Sequence, residues 1–379
     1  MNFVAWKMLT GDRAKYLGLI FTIAFCTFLL ENQTSIFAGI MKRTGSQIRD
    51  VTDADIWVMD PKTEYFDQTK RLKDTDLTRV RGVEGVQWAV KLFKGNPVVR
   101  TLDGKFDVSI CLGLDDATLA GAPRKMILGS WERLREPDSV VIDKAGYQLL
   151  FPDQPLQLDQ TLELNDHKTK IVGISDASAP FASYPVMHTR YSQAVNFVGQ
   201  ERTQLSFILV RATEGVKPAD LIPRIEEQTG LRARTSEQFQ WDCVVYYLKH
   251  TGIPVNFGIT IAIALIVGIV VAGQTFYIFT IENLKQFGAL KAIGVTNWRI
   301  TRMIVLQALI VGAMGFSIGS GLCTVFFAIT LQNMATRGMV LLWQNVVGTG
   351  VAIFIVIIIA SLISIRRVLV LEPAAVFRG

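Results

Sequence analysis

Gly315-Phe316-Ser317-Ile318-Gly319 fits G-x-S-x-G, the pattern that sets a nucleophilic serine on a sharp strand-to-helix turn. That chemistry needs a strand before the turn and a histidine partner, and here the five residues lie inside an apolar run of helical length. Gly312, Gly315 and Gly319 read better as a small-residue face that lets another helix approach closely. A P-loop needs G-x-x-x-x-G-K-[ST], so that backbone amides wrap phosphates while a lysine reaches them. The one Gly-Lys pair, Gly104-Lys105, is followed by Phe106 and has no glycine at the upstream spacing, which excludes ATP binding by that route. His167, His188 and His250 are scattered without Cys or carboxylate partners at ligand spacing, so no metal site is expected. Asp115-Asp116 and Glu226-Glu227 read as solvated turns and helix faces. No catalytic residue is expected, and the chain reads as a non-enzyme that binds no cofactor of its own.

Glu31 is a different case, because it interrupts an apolar run where an ionisable group is costly and often functional. It stands about fifteen helical residues beyond Leu17, near the outer boundary of a bilayer. Two readings stay open: a polar helix end leaving the membrane, or a contact with cargo or a partner subunit. Cys26 and Cys323 fall in apolar runs, and Cys111 and Cys243 in polar sequence with no C-x-x-C spacing. Buried free thiols are the expectation for the latter pair, with a Cys111 to Cys243 bridge as the alternative.

The elements that position these residues are set by where the apolar sequence lies. Half of the 379 residues are hydrophobic, and four runs are long enough to cross a bilayer as helices. They cover about 17–41, 253–281, 303–331 and 340–365, with residues 42–252 of ordinary soluble composition between the first two. The fold class expected is membrane α-helical, with four transmembrane helices and a mixed α/β extracytoplasmic domain inserted between helices 1 and 2. Residues 1–16, which mix Trp6 and Tyr16 with Lys7, Arg13 and Lys15, suit a cytoplasmic interfacial helix. Glu31, Asn32 and Gln33 follow the first apolar run in place of a small-x-small cleavage site, so a retained anchor is expected.

The net charge of +6 raises nucleic acid as a partner, but charge in the soluble stretch is almost balanced and the excess lies at the membrane ends. Lys285, Lys291, Arg299 and Arg302 fill the turn between spans two and three; Arg366, Arg367 and Arg378 follow span four; Arg337 alone marks the loop between spans three and four. The positive-inside rule then puts both termini (the tail being 366–379) and the 282–302 segment in the cytoplasm and the large domain outside it. No nucleic-acid partner is expected.

Within the large domain, Asp55–Met59, Val86–Phe93, Ser139–Ile142, Thr161–Leu164, Lys170–Ile174 and Leu205–Arg211 read as strands. Thr75–Arg81, Tyr191–Val198 and Lys217–Thr229 read as helices, and Asp103-Gly104 as a hairpin turn. The order fits a β-α-β layer carrying a β-rich insertion from about 105 to 185.

Asn283–Ile300 reads NLKQFGALKAIGVTNWRI. As a helix it brings Leu284, Phe287, Leu290 and Ile293 to one side, away from Lys285, Gln286 and Lys291. Gly288 and Gly294 each weaken a helix by about 1 kcal/mol relative to alanine, and so mark a close approach or a break. Such a segment suits an interfacial helix on lipid or an apolar peg in a groove on a cytoplasmic partner.

These residues resemble the coupling segment of permeases in the MacB, LolC and FtsX superfamily of ABC transporters. Lys285, Gly288, Ala292 and Gly294 match its basic residue, glycine and A-x-G pair, while Gln286 stands where the family carries glutamate. One span, a large outer domain and three further spans agree with it over the whole chain. The tail LEPAAVFRG, which meets the family's closing Pro-x-x-Ala pattern at Pro373 with Val376 in the last place and Ala375 one position early, is most similar to DevC-type permeases. The resemblance implies a half-transporter: a second copy of the chain as partner, and a separate ATPase subunit that holds ATP and Mg and is engaged by Leu284, Lys285, Gln286, Phe287, Gly288, Leu290, Lys291, Ala292 and Gly294. It further implies an outer domain with a ferredoxin-like porter part, a place in the inner membrane with that domain in the periplasm, and export of a lipid or other hydrophobic cargo with a membrane fusion protein and an outer-membrane channel. An FtsX-type regulator of a cell-wall hydrolase and a LolC-type lipoprotein release permease are the alternatives.

Overall fold

The computed structural model describes residues 2–370 apart from 12, 124, 199–204, 331–336 and 340. Pro373 and Ala375 of the expected closing pattern lie outside the described residues. The chain forms two compact units, one of Met1–Gly39, Gly252–Leu331 and Met339–Gly379, the other of Ile40–Thr251 and Gln332–Gly338.

Three helices come first: α1 (Asn2–Gly11), α2 (Arg13–Arg43) and α3 (Ser46–Asp50). In the second unit follow β1 (Ile56–Met59), α4 (Asp74–Arg81), β2 (Val86–Gly95), β3 (Val98–Thr101), β4 (Phe106–Val108), β5 (Ile110–Leu114) and β6 (Met126–Gly129). Then come β7 (Ser139–Asp143), α5 (Lys144–Leu150), β8 (Thr161–Leu164), β9 (His167–Ser175), β10 (Val186–Arg190) and α6 (Tyr191–Val198). The unit closes with β11 (Phe207–Ala212), α7 (Pro218–Thr229), β12 (Arg232–Thr235) and α8 (Ser236–His250).

Its strands run in the order β12-β1-β11-β2-β5-β10-β7-β9-β8-β3-β4, with β6 paired to β9. The first four are antiparallel neighbours, and with α4 and α7 they make the split β-α-β arrangement. Leu77 and Val80 of α4 and Leu221 and Ile225 of α7 bury one face of these strands; Trp57, Phe207 and Phe239 fill the other. β2 is long enough to serve both halves: its body pairs with β11, and its last residues, Phe93 to Gly95, pair with β5. All strands from Val98 to Arg190 are thus inserted between the second and third strands of the split motif. Asp103-Gly104 does turn the β3–β4 hairpin, where Gly104 has φ +86 and its N–H donates to Thr101. His188 on β10 is 1% exposed and edge-on to Trp131, and burial holds its imidazole down at about 3. Cys26, Cys111, Cys243 and Cys323 are free and buried, and burial pushes the Cys111 and Cys243 thiols up to about 12.

The first unit holds α9 (Ile253–Glu282), α10 (Leu284–Ala292), α11 (Asn297–Thr330) and α12 (Trp343–Val370). Among the described residues, four stretches are long and apolar enough to cross a membrane: Tyr16–Arg43, Ile253–Glu282, Asn297–Thr330 and Trp343–Leu362. Leu19, Ile23 and Leu30 of α2 pack with Phe276 of α9, Val311 of α11 and Ile357 of α12 in one cluster. The outward faces stay apolar, as with Ile259, Ile263, Ile266 and Val270 on α9, because hydrocarbon rather than water meets them.

Candidate functional site

Every residue expected to meet an ATPase lies on α10 or the turn after it. α9 stops at Asn283, whose side-chain Nδ2 donates to the Phe279 carbonyl at 2.8 Å and whose own carbonyl restarts the helix by accepting from Gln286 and Phe287, both at 3.0 Å. Nine residues later α10 ends in a Schellman turn. Val295 N–H donates to Leu290 and Gly294 N–H to Lys291, both at 3.0 Å, with Gly294 at φ +90. A Cβ at Gly294 would touch nothing within 4 Å, so backbone conformation and not space requires glycine there. The expected break is therefore at Gly294, and α11 begins at Asn297.

The two sides of α10 do different work. Phe287 is fully buried, packed with Ile300, Met303 and Ile304 of α11 and Ile365 of α12, and Leu284, Leu290 and Val295 border the same cluster. Phe287 was expected among the docking residues and is instead the core residue that fixes α10 to its own bundle. Burial of such a ring is worth about 2 to 3 kcal/mol, and the helix takes the nearest apolar surface, which is α11. Gly288 is buried on the same side, while Leu284, Leu290 and Lys291 are half-buried. Lys285, Gln286, Ala292 and Gly294 are exposed. Beside them stand two large apolar groups in the open, Ile293 at 77% and Trp298 at 75%. Ile293 leaves the stripe of Leu284, Phe287 and Leu290 because the Schellman turn ends the helical phase there. Trp298, at the start of α11, completes the exposed patch.

The glycine face of α11 is divided between two neighbours. A Cβ at Gly319 would lie 2.5 Å from the Ala24 carbonyl oxygen, and one at Gly315 would lie 2.7 Å from Ile23 Cβ, so both glycines admit α2. A Cβ at Gly312 would meet Ile357 Cδ1 at 2.1 Å, so this one admits α12. The G-x-S-x-G match is thus a packing surface. Ser317 bonds back to the Ala313 carbonyl at 2.8 Å within its own helix.

Glu31 is 0% exposed, where a cargo contact would need an open face. Its Oε1 accepts from Ser320 of α11 at 2.6 Å. Its Oε2 has no hydrogen-bond partner among the described residues. One turn further along α2, Ser35 accepts from Asn345 of α12 at 3.2 Å. Ser35 and Asn345 did not stand out in the sequence; the i, i+4 spacing of Glu31 and Ser35 is the signal that ties them to one helix face.

The chain matches the FtsX-like permease C-terminal family over residues 258–373 and the MacB-like periplasmic core domain family over residues 16–228. It is 23% identical over 312 residues to an uncharacterized ABC transporter permease of Mycobacterium tuberculosis, covering 81% of this chain and 79% of that one. It is 23% identical over 349 residues to the macrolide export ATP-binding/permease protein MacB of Photorhabdus laumondii, covering 84% of this chain and 51% of the relative. Among solved structures, the periplasmic region of MacB from Actinobacillus actinomycetemcomitans aligns with a TM-score of 0.38 at 13% identity, over 54% of this chain and 96% of that one. The extracellular domain of the noncanonic ABC-type transporter YknZ aligns with a TM-score of 0.36 at 11% identity, over 48% and 98%. By the families matched at its two ends and the four helices between which the α/β unit is inserted, this chain belongs to the MacB and FtsX family of ABC transporter permeases.

Proposed function

We propose that this permease docks a separate ATPase on the exposed side of α10 and the start of α11, and passes the motion of that ATPase to the inserted α/β unit. The observation that carries the reading is the pairing of opposite faces on one short helix. Phe287 ties α10 rigidly to α11 and α12, while Ile293 and Trp298 stand in the open beside Lys285. Exposed apolar groups of that size at a turn are the anchors that helix-in-groove recognition uses. The charge pattern supports a cytoplasmic place for this surface, since Lys285, Lys291, Arg299 and Arg302 cluster there and Arg337 is alone in the next connection. The α/β unit then lies in the periplasm, with the helices in the inner membrane.

In this reading ATP and Mg stay in the partner, and nucleotide state shifts the permease only to the extent that the ATPase interface differs between two conformations. A rigidly held α10 turns such a difference into movement of the helices that carry Phe287, Ile300 and Ile365. Two copies of the chain would pair through their spans, and the outer units would drive a lipid or other hydrophobic cargo toward a membrane fusion protein and an outer-membrane channel.

The test is orientation and docking together. Cysteines placed at Lys285 and Trp298 should react with a membrane-impermeant maleimide only after cells are opened, and Ile293→Asp should lower recovery of the co-expressed ATPase. Labelling in intact cells would overturn the scheme. Recovery of a hydrolase in place of a fusion protein with the native complex would favour the regulator reading, and recovery of lipoprotein the release reading.

A further inference from the structure

Arg337, the one charged residue between the third and fourth spans, has a specific partner. Its guanidinium donates to Oδ2 of Asp143 and lies 3.5 Å from the Ala177 carbonyl. Asp143 is 0% exposed, at the end of a β7 strand that is itself wholly buried between β10 and β9. The same carboxylate accepts from Val186 N–H at 2.7 Å and, as the cap of α5, from Gly146 N–H at 3.2 Å. A buried carboxylate needs both hydrogen bonds and a counter-charge, and Arg337 supplies the charge.

The segment that Arg337 and Asp143 enclose, residues 176–185, has no regular secondary structure, and side chains hold its backbone. Arg43, the last residue of α2, donates to the Pro180 carbonyl at 2.9 Å and to the Ser183 hydroxyl. Ser46 and Gln47 donate to the carbonyls of Ala179 and Ser178, both at 2.8 Å, and Asp50 accepts from the Ser178 N–H at 2.6 Å. One irregular segment is therefore gripped from two places far apart in sequence: the residues that continue the first span, and the residue that joins the third span to the fourth.

We propose that Arg337 and Asp143 form a clasp that makes the connection between α11 and α12 a mechanical input to the α/β unit, beside the two points where the chain enters and leaves that unit. The proposal rests on the transmission reading above. Arg337 is a positioning residue: it touches no nucleotide and works by holding β7 and the 176–185 segment to the span-three to span-four connection. A planar guanidinium that donates one nitrogen to the Asp143 carboxylate and turns another toward the Ala177 carbonyl meets the buried strand and the 176–185 segment at once, which a point charge on a flexible stem would do less well.

The experiment uses the full chain with its co-expressed ATPase in lipid nanodiscs, comparing hydrogen exchange of the peptide covering 176–186 with and without ATP and vanadate. The variants are Arg337→Gln, Arg337→Lys and the double neutral form Asp143→Asn with Arg337→Gln, which leaves no buried charge unpaired; Arg337→Lys keeps both the charge and the two backbone bonds of Asp143 where a neutral form does not fold. The wild type is expected to change exchange in this peptide on nucleotide trapping. Both glutamine forms should lose that change while still retaining the ATPase, and Arg337→Lys should restore part of it. A nucleotide-dependent change that persists in the double form overturns the clasp and leaves the docking reading standing. No change in the wild type, or no ATPase retained by it, overturns the transmission reading and the clasp with it.

Discussion

Ser320 on α11 donates a 2.6 Å hydrogen bond to Oε1 of Glu31 on α2, and Glu31 is wholly enclosed. Inside an apolar bundle the alternative for this carboxylate oxygen is an unmet polar atom, so the pair ties two helices that also pack through glycines and apolar side chains. Ser320→Ala should lower the stability of the purified permease by about 1 kcal/mol, read as an earlier thermal transition in detergent. Glu31→Gln keeps an acceptor for Ser320 and should leave transport near the wild-type rate. A marked transport loss in Glu31→Gln without a stability loss would return Glu31 to the role of cargo contact.

Phe287 and Ile293 sit six residues apart on one short segment and should separate cleanly. Phe287→Asp puts a charge in a closed apolar cluster and is expected to cost about 3 kcal/mol or more, visible as lost membrane abundance and a lower melting temperature. Ile293→Asp changes a side chain that is 77% exposed, so its melting temperature should stay within a degree or two of wild type while ATPase recovery falls. Equal behaviour of the two variants in both assays would reject the division of α10 into a fixing face and a docking face.

Gly319→Ala and Gly312→Ala introduce the same methyl group against different obstacles. At Gly319 it meets the Ala24 backbone oxygen at 2.5 Å, and a helix must move; at Gly312 it meets the end of the Ile357 side chain, which has a rotamer to change. Overpacking of this kind typically costs about 1 to 3 kcal/mol, and Gly319→Ala should be near the upper end with Gly312→Ala well below it. Thermal unfolding of both variants in one detergent checks the order, and the reverse order would mean that α11 does not meet α2 at Gly319.

His188 gives the α/β unit a signed pH dependence. Its ordinary value is 6.5 and burial lowers it to about 3, so between these values the unfolded chain binds a proton that the folded chain does not. Stability from this residue is fully present above 6.5 and is lost as pH falls through that window, by up to about 1.4 kcal/mol per pH unit. Comparing wild type with His188→Gln by urea unfolding should show the steeper acid loss in the wild type. Parallel pH profiles would mean that His188 is solvated.

Much of the frame was legible in the residues. Hydrophobic length fixed the four helices, because a bilayer sets a minimum that few soluble segments reach. Strand alternation and Asp103-Gly104 marked the sheet that carries Asp143. Less legible was α8, where Phe239, Cys243 and Tyr247 recur every fourth residue among Glu237, Gln238, Gln240 and Asp242. Thr235 and Gln238 form a capping box at its start, a local signal that the faint periodicity conceals.

By itself the sequence determined which segments are helices in lipid, which connection is basic, and that Gly288 and Gly294 mark a close approach or a break there, since length, charge and glycine's backbone freedom are properties of short stretches. Tertiary structure alone decided that Phe287 faces inward and Ile293 outward, that Glu31 meets Ser320, and that Arg337 answers Asp143 from 194 positions away. A periodic stripe tells which residues share a face; what covers that face depends on helices brought together from distant parts of the chain, and a buried charge is given its partner only when the fold closes around it.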